Sequence, residues 1–244
     1  MFAIRLALAA LFAPISLTVA TSAVMAQSSV VIWPTDPKIV AGEQATALWL
    51  ENRGTKTVTL QFRTFGWDQV AGEDSLQATN EIVSSPPLAT VGPGERQLVR
   101  IIRRIPAAAS ERAFRLLIDE LPTPHTAGAD GVSARLSVQM RYSLPLFVYG
   151  SERAGLSPEL TSRVVLDDGA RWLEIRNSGN SHARLTDLRL KTQESEETLH
   201  AGLLGYVLPG STMRWPLPPQ LAPQAQMLVG INGADIALST TSSI

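Results

Sequence analysis

The stretch from Gly131 to Phe147, GVSARLSVQMRYSLPLF, decides the fold class because apolar and polar residues alternate along most of its length. One face carries the apolar residues Val132, Ala134, Leu136, Val138, Met140, Tyr142 and Leu144. A period of two predicts a half-buried β-strand. An ordinary strand holds about 5 to 6 residues, so this strand has more apolar surface than its own sheet is expected to cover.

Short runs rich in β-branched and aromatic residues recur along the chain between glycine, proline and asparagine turn signals. They are SVVIW (29–33), ATALWLEN (45–52), TVTLQFRTFGW (57–67), RQLVRIIRR (96–104) and AFRLLIDEL (113–121). No amphipathic helix longer than a few turns separates them. The pattern predicts an all-β fold of the sandwich class.

Two segments of the second half echo two segments of the first half in the same order. RWLEIRNSGNSHARLTDLRL (171–190) is similar to ALWLENRGTKTVTL (47–60), and VLPGSTMRWPL (207–217) is similar to ATVGPGERQLVRI (89–101). The echoes predict two immunoglobulin-like domains, 27–150 and 151–244. Chance similarity between two β-domains is the alternative.

Residues 1–26 have the composition of a secretory signal peptide. Arg5 precedes an apolar run, and the small residues Val24 and Ala26 end the segment. This pattern predicts cleavage after Ala26 and export of the mature chain. An uncleaved anchor helix is the alternative, although Pro14 interrupts the run.

The composition argues against several classes of function. The formal net charge is −1, so no basic field favours a nucleic-acid partner. The chain has no cysteine, which fits an exported bacterial protein better than a disulfide-stapled extracellular domain. The three histidines, His125, His182 and His200, lack metal-ligand spacing and are expected at the surface.

No catalytic motif stands out in the chain. There is no G-x-S-x-G elbow, no glycine-rich phosphate loop and no cysteine nucleophile. Asp167 and Asp168 precede Gly169, which predicts a hairpin turn. We therefore expect no enzymatic activity, no cofactor and no metal. A carbohydrate-processing enzyme whose two carboxylates come from distant strands is the alternative.

Four segments in order resemble the periplasmic chaperones of chaperone–usher pilus assembly. They are WPTDPKIVAGEQATALWLENRG (33–54), SSPPLATVGPGERQLVRI (84–101), ERAFRLLIDELP (111–122) and RLSVQMRYSLPLFV (135–148). The chain is most similar to the archaic branch, which serves spore-coat-protein-U-like subunits. The resemblance implies two immunoglobulin-like β-sandwiches arranged as a boomerang with an inter-domain cleft.

The same resemblance implies a non-enzymatic chaperone that stabilises pilus subunits by donor-strand complementation and delivers them to an outer-membrane usher. An added strand gains main-chain hydrogen bonds, and every second side chain fills a pocket of the subunit. The residues assigned to this donor row are Ala134, Leu136, Val138, Met140 and Tyr142. Leu144, Leu146 and Phe147 are assigned to the core of the first domain itself. The alternative is that the whole apolar face packs on the chain's own core.

The resemblance also implies a basic anchor for the C-terminal carboxylate of the subunit. A carboxylate that leaves water needs charge-assisted partners. Arg141 on the long strand and Lys38 on the first strand are assigned to this role. Ser143 is the alternative, because alignment on the LPLF end (144–147) places it at the family's position. Arg141 lies on the same face and can reach the same place.

A charge network that joins the two domains is expected from the resemblance. Arg100 and Glu111 lie at the ends of strands that are expected to be neighbours, and an ion pair between them would pin one end of the domain. Asp235 is assigned as the third member, because Gly233 occupies the position where the acid is expected.

A secreted two-domain β-sandwich protein with a structural or adhesive role is the main alternative function. In such a protein the long strand would self-associate. A capped dimer of the free chaperone also remains open.

Overall fold

The computed structural model describes residues 30–106, 110–122, 139–150, 155–221, 225–238 and 240–242. All regular elements in these ranges are β-strands, and the all-β prediction is confirmed. Within the same ranges, no helix is long and apolar enough to cross a bilayer.

The first half of the chain forms two sheets, which we call sheet A and sheet B. Their strands are β1 (Val30–Trp33), β2 (Lys38–Ile39), β3 (Ala45–Asn52), β4 (Val58–Val70), β5 (Glu73–Ala78), β6 (Ile82–Ser85), β7 (Leu88–Val91), β8 (Arg96–Arg103), β9 (Arg112–Leu121) and β10 (Arg141–Val148). Sheet A has the order β1-β3-β8-β6. Sheet B has the order β2-β10-β9-β4-β5, with β7 also paired to β4.

The second half forms sheets C and D. Their strands are β11 (Leu160–Asp167), β12 (Ala170–Asn177), β13 (Ala183–Lys191), β14 (Glu196–Val207), β15 (Thr212–Leu217), β16 (Gln226–Ile231), β17 (Ala234–Leu238) and β18 (Thr240–Ser242). Sheet C has the order β15-β12-β11-β18, and sheet D has the order β14-β13-β16-β17.

Each half has its own hydrophobic core, built by the alternation of inward and outward side chains. The first core includes Leu48, Leu50, Leu60, Val99, Ile101, Phe114, Leu116, Ile118 and Leu146. The second core includes Leu173, Ile175, Leu185, Leu188, Val207 and Val229. Each fully buried leucine or isoleucine contributes roughly 1.5 to 3 kcal/mol relative to an exposed one.

The sequence echo between the halves reflects equivalent local structure at two buried asparagines. Asn52 ends β3, and its Nδ2 donates to the carbonyl oxygens of Lys56 at 2.7 Å and Val91 at 2.9 Å. Its Oδ1 accepts the N–H of Gly54 at 2.9 Å. The side chain therefore shapes the turn after β3 and ties it to the end of β7.

Asn177 ends β12 and makes the same set of bonds in the second half. Its Nδ2 donates to the carbonyl oxygens of Ser181 at 2.8 Å and Val207 at 3.0 Å, and its Oδ1 accepts the N–H of Gly179 at 3.0 Å. Both asparagines are fully buried. The Asn-x-Gly pattern therefore forms the same hydrogen-bonded turn in both halves.

The structure describes only the second part of the long alternating segment. Pairing begins at Arg141 and continues to Val148, which is beyond the alternating segment. Residues 123–138 lie outside the described residues. The five shorter predicted runs coincide with β1, β3, β4, β8 and β9, which confirms those strands.

Candidate functional site: an open strand edge and an inter-domain cleft

Strand β10 is paired along its whole length on one edge and only at its end on the other. It pairs with β9 from Arg141 to Val148, whereas β2 meets it only at Phe147 and Val148. From Arg141 to Leu146, no described strand covers the second edge. An unpaired edge presents N–H and C=O groups that can accept a further strand.

Hydrogen bonds at the end of β10 identify which groups face the open edge. Phe147 and Tyr149 donate their N–H groups to the segment that contains β2, at 3.4 and 2.9 Å. Because directions alternate along a strand, Arg141 and Ser143 point their N–H and C=O groups to this same edge. Pro145 offers only a carbonyl there. The complete hydrogen-bonding edge therefore ends at Ser143.

The predicted donor row is only partly described. Ala134, Leu136 and Val138 lie outside the described residues. Met140 directly precedes β10 and is 37% exposed. Tyr142 is half-buried and packs against the first core, which matches the alternative interpretation at this one residue. The donor role of the row stays a prediction.

The three residues assigned to the chain's own core divide between two places. Leu146 is fully buried in the first core, and Leu144 packs against it. Phe147 lies instead in an aromatic cluster between the two halves, so its assignment to the first core was wrong. The physical reason is alternation, which turns Phe147 to the opposite face of sheet B from Leu146.

Arg141 belongs to a charged group on the outer face of sheet B. Nη2 of Arg63 lies 2.6 Å from Oδ2 of Asp119, and Nε of Arg141 bonds to the other carboxylate oxygen. Burial alone would raise the pKa of Asp119, but the hydrogen bonds from Arg141 and Arg63 outweigh it and hold the pKa below its ordinary 3.8.

Lys38 lies near the other end of β10. It is opposite Phe147 in the register, six residues from Arg141, and a strand rises about 3.3 Å per residue. Its Nζ bonds to Asp36 at 2.9 Å. The structure does not bring the two predicted anchor cations together. Ser143 shares the face of Arg141, so that alternative remains.

The predicted network of Arg100, Glu111 and Asp235 is not formed, and this assignment is corrected. Asp235 is exposed and pairs with Arg189, with Oδ2 to Nη2 at 2.8 Å. Arg100 is exposed on the outer face of sheet A, because it alternates with the buried Val99 along β8.

Glu111 joins the two halves through other partners. Its carboxylate lies 2.9 Å from Nδ1 of His182, accepts the backbone N–H of His182 at 2.9 Å, and accepts the hydroxyl of Ser181 at 3.0 Å. The Glu111 side chain has no exposed surface. His182 was predicted at the surface and is buried, because it closes this contact.

Aromatic rings fill the contact between the halves beside Glu111. The imidazole of His182 stacks on Phe147 with a centroid separation of 3.5 Å and an interplanar angle of 1°. Trp67 lies 6.0 Å from Phe147 and meets Tyr206 edge-on at 5.4 Å. Aromatic packing at these distances adds to the apolar burial. The cluster therefore packs the two halves of the chain against each other.

Arg115 covers one side of this cluster. Its guanidinium carbon lies 3.6 Å from the centroid of Trp67 and 5.5 Å from that of Tyr206. Burial lowers the pKa of Arg115, and its 3.4 Å contact with Asp74 opposes that shift. A cation that is this poorly hydrated is held by the ring faces.

Gln69 makes a second bridge between the halves. Its Nε2 donates to the carbonyl of Tyr206 at 2.9 Å, and its Oε1 accepts the N–H of Leu208 at 2.9 Å. Close by, Gly72 in the β4–β5 turn forms a backbone bridge with Met213. The sequence analysis did not assign a role to Gln69 or Arg115, because their partners in the second half are brought near only by the fold.

Of the two remaining histidines, the structure describes one. His200 is exposed, as predicted, and His125 lies outside the described residues. In the described part of the chain, no three histidine, aspartate or glutamate side chains could hold a metal ion together.

The Asp-Asp-Gly segment forms the predicted hairpin turn. Asp167 lies opposite Ala170, and the two residues between them, Asp168 and Gly169, have φ values of 48° and 78°. Two positive φ values are typical of a type I′ turn.

Known proteins match this chain in two ways: a family model matches the first half, and solved structures match most of the chain. Residues 29–151 match the family model described as pili and flagellar-assembly chaperone, PapD N-terminal domain. The chain belongs to this family. Its members are periplasmic chaperones rather than enzymes. No curated protein sequence matches the chain.

Solved structures of pilus chaperones have the same fold as this chaperone. A chain from the CsuC-CsuE chaperone-tip adhesion subunit pre-assembly complex of Acinetobacter baumannii is 31% identical, with a TM-score of 0.70, and the match covers 89% of this chain and 100% of that one. The Escherichia coli chaperone DraB is 17% identical, with a TM-score of 0.61, and the match covers 87% and 97%. The second likeness shows the fold alone.

Proposed function

We propose that this chaperone acts in the periplasm and holds one unfinished pilus subunit by adding its long strand to the subunit's fold. The observation that carries the proposal is the open edge of β10 from Arg141 to Pro145, which continues an alternating apolar segment. An added edge strand supplies main-chain hydrogen bonds, and its alternate side chains fill pockets in the partner.

The apolar row supplies the larger part of the expected binding free energy. If Leu136, Val138 and Met140 each bury fully in the subunit, each contributes roughly 1.5 to 3 kcal/mol before the cost of ordering the strand. The 31% identical chain comes from a complex described as a chaperone with a tip adhesion subunit, which supports the same partner class here.

The outer face of sheet B beside the start of β10 provides a place for the end of the subunit. Arg141 is 62% exposed and is shared with Asp119, so an incoming carboxylate can compete for its guanidinium. Lys38 would need a separate partner, because it lies toward the far end of β10. Arg141, with Ser143 beside it, is therefore the stronger proposed anchor.

We also propose how the chain is exported, how it divides into domains and where it delivers the subunit. Residues 1–26 act as a cleaved signal peptide, and residues 27–150 and 151–244 act as two domains. The separate sheets and cores of the two halves support this division. The loaded chaperone delivers its subunit to an outer-membrane usher, and no cofactor is needed because strand exchange drives release.

A binding experiment with two variants tests strand donation. The tagged chaperone is purified from periplasm that also contains the pilus subunit. We expect Val138→Asp to abolish co-purification of the subunit, because it places a charge in the apolar row. Ser137→Asp is the matched control on the polar face and should retain the subunit. Equal retention by both variants would contradict the proposal.

The free protein also has an edge through which two copies can associate. The open edge of β10 could pair with its equivalent in a second copy and form a capped dimer. Analytical ultracentrifugation should then show a dimer that dissociates when the subunit binds. Concentration-dependent growth beyond a dimer would favour the structural or adhesive alternative instead.

A further inference from the structure

The outer face of sheet C, in the second half, carries two polar rows that run side by side across three strands. Alternation along β11, β12 and β15 turns both rows away from the second core. The register places one row at Arg163, Glu174 and Arg214. It places the other row at Thr161, Arg176 and Thr212.

A buried carboxylate fixes two of the three arginines. Nε and Nη2 of Arg163 both lie 2.5 Å from Oε1 of Glu174. Nε of Arg214 lies 2.9 Å from Oε2 of Glu174, and its Nη1 lies 3.2 Å from Oδ2 of Asp167. The Glu174 side chain is only 8% exposed. Both of its oxygens are therefore bound, and the first row is held in one arrangement.

The first half of the chain also holds this row in place. Gly72, in the β4–β5 turn, forms a backbone bridge with Met213. A methyl group at Gly72 would lie 3.6 Å from Cγ of Arg214, which is ordinary van der Waals contact. The turn therefore packs against the aliphatic part of Arg214 and limits its movement.

Arg176 is the arginine of this face that has no acidic partner. It is exposed and makes no ion pair or side-chain hydrogen bond with another residue that the structure describes. The acids near it along the sheet bond elsewhere: Glu174 to the two other arginines, and Glu159 to the hydroxyl of Ser178 at 3.5 Å. The guanidinium of Arg176 therefore has all its N–H donors free for a ligand.

A recess of about 380 Å³ lies over the row that contains Arg176. Its lining consists of Thr161, Ser162, Arg163, Glu174, Arg176 and Thr212. A second recess of about 410 Å³ adjoins it, shares Glu174 and Thr212 with it, and reaches Gly72 of the first half. Side chains that line the first recess are polar or charged, so it suits a polar ligand rather than an apolar one.

We propose that this first recess, which we call the Arg176 recess, binds an oxyanion, either a carboxylate or a phosphate group. A guanidinium offers two parallel N–H donors that match the oxygens of such a group. The hydroxyls of Thr161 and Thr212 flank Arg176 in its row and can donate to the same ligand. A cation fits less well, because Glu174 is the one carboxylate of the lining and arginines occupy both of its oxygens.

The Arg176 recess is separate from the proposed subunit site. It shares no residue with β10 or with the charged group of Arg141, Arg63 and Asp119. The inference therefore does not depend on strand donation. The oxyanion has two possible sources, a small free anion and an acidic side chain of a protein, and the two probes below separate them.

Isothermal titration at constant ionic strength tests the proposal. The probes are inorganic phosphate and a tetraglutamate peptide with blocked ends. We expect binding of at least one probe, and Arg176→Gln should raise its Kd at least tenfold because the charged fork is lost. Arg184→Gln removes an exposed arginine of β13 and should leave the Kd unchanged. Binding of phosphate alone would identify a small anion, and tighter binding of the peptide would identify an acidic protein segment.

A second variant and a second measurement locate the bound anion. Thr212→Val removes one hydroxyl and should raise the Kd about fivefold, as expected for the loss of one hydrogen bond. Amide chemical shifts should change on titration near Thr161, Arg176 and Thr212. Absence of binding by both probes, an unchanged Kd with Arg176→Gln, or shift changes confined to other surfaces would overturn the proposal.

Discussion

At the residue scale, the buried carboxylate of Glu111 carries the most concentrated set of contacts between the halves. It accepts hydrogen bonds from the backbone N–H of His182 and the hydroxyl of Ser181, and it also contacts the His182 ring. The sequence indicated that Glu111 was structural but suggested Arg100 and Asp235 as its partners. The actual partners, Ser181 and His182, come after the turn at Asn177 in the sequence. Only the packing of the two halves brings them to Glu111.

Removing the Glu111 carboxylate should therefore destabilise the protein. We expect Glu111→Ala to lower the free energy of unfolding by about 1 to 3 kcal/mol, because it leaves buried donors without an acceptor. Urea denaturation followed by circular dichroism measures the change. Glu194→Ala, at an exposed turn, is the control. A difference between the two variants below about 0.5 kcal/mol would contradict this role.

Asp119 should make stability depend on pH in the acidic range. Its folded-state pKa lies below the ordinary 3.8 because Arg141 and Arg63 bond to it. A lowered pKa stabilises the fold above the unfolded-state pKa, and that contribution disappears as pH falls through the folded-state value. We expect Asp119→Asn to be less stable than the wild type at pH 6, with a difference that vanishes well below pH 3.8.

Parallel urea titrations of the two proteins at several pH values measure this difference. If the difference in free energy of unfolding between the two proteins stays constant from pH 6 to well below pH 3.8, the charge of Asp119 does not contribute to stability. That result would contradict the prediction.

At the element scale, β10 combines two faces and two edges with different roles. Its inward face, with Leu144 and Leu146, packs in the first core, while its outward face carries Arg141 and Phe147. Alternation in the sequence predicted the inward position of Leu144 and Leu146 but not the outward position of Phe147. The open edge was beyond prediction, because it depends on where β2 ends rather than on β10 itself.

Replacing one residue of this edge by proline should weaken binding without disturbing the fold. Ser143→Pro removes an N–H that points to the open edge, so the loss of one hydrogen bond, about 1 kcal/mol, should raise the Kd for the subunit about fivefold. Leu144→Pro removes an N–H that faces β9 and should instead lower the free energy of unfolding. Isothermal titration and urea denaturation measure the two effects.

If the two proline variants change the Kd and the free energy of unfolding in the same way, the N–H groups of Ser143 and Leu144 do not point to opposite edges of β10. That result would contradict the assignment.

At the scale of the whole molecule, two bridges fix the halves relative to one another. Glu111 bonds to His182 on one side of the aromatic cluster, and Gln69 bonds to Tyr206 and Leu208 on another. The sequence predicted two similar halves from the repeated Asn-x-Gly turns. It could not predict their contact, because Tyr206 lies far along the chain from Trp67 and Gln69.

Loss of the Gln69 bridge should uncouple the halves. We expect Gln69→Ala to broaden the calorimetric unfolding transition or split it into two, since each half keeps its own core. Gln77→Ala, at an exposed position of β5, should unfold like the wild type. A single unchanged transition for Gln69→Ala would show that the aromatic cluster alone couples the halves.

Amide hydrogen exchange on the free and subunit-bound chaperone tests strand donation most directly. The account predicts strong slowing of exchange on binding at alternate residues of 132–143, including Arg141 and Ser143. These N–H groups would then bond to the subunit. Unchanged exchange along this segment, with slowing confined to other surfaces, would contradict strand donation.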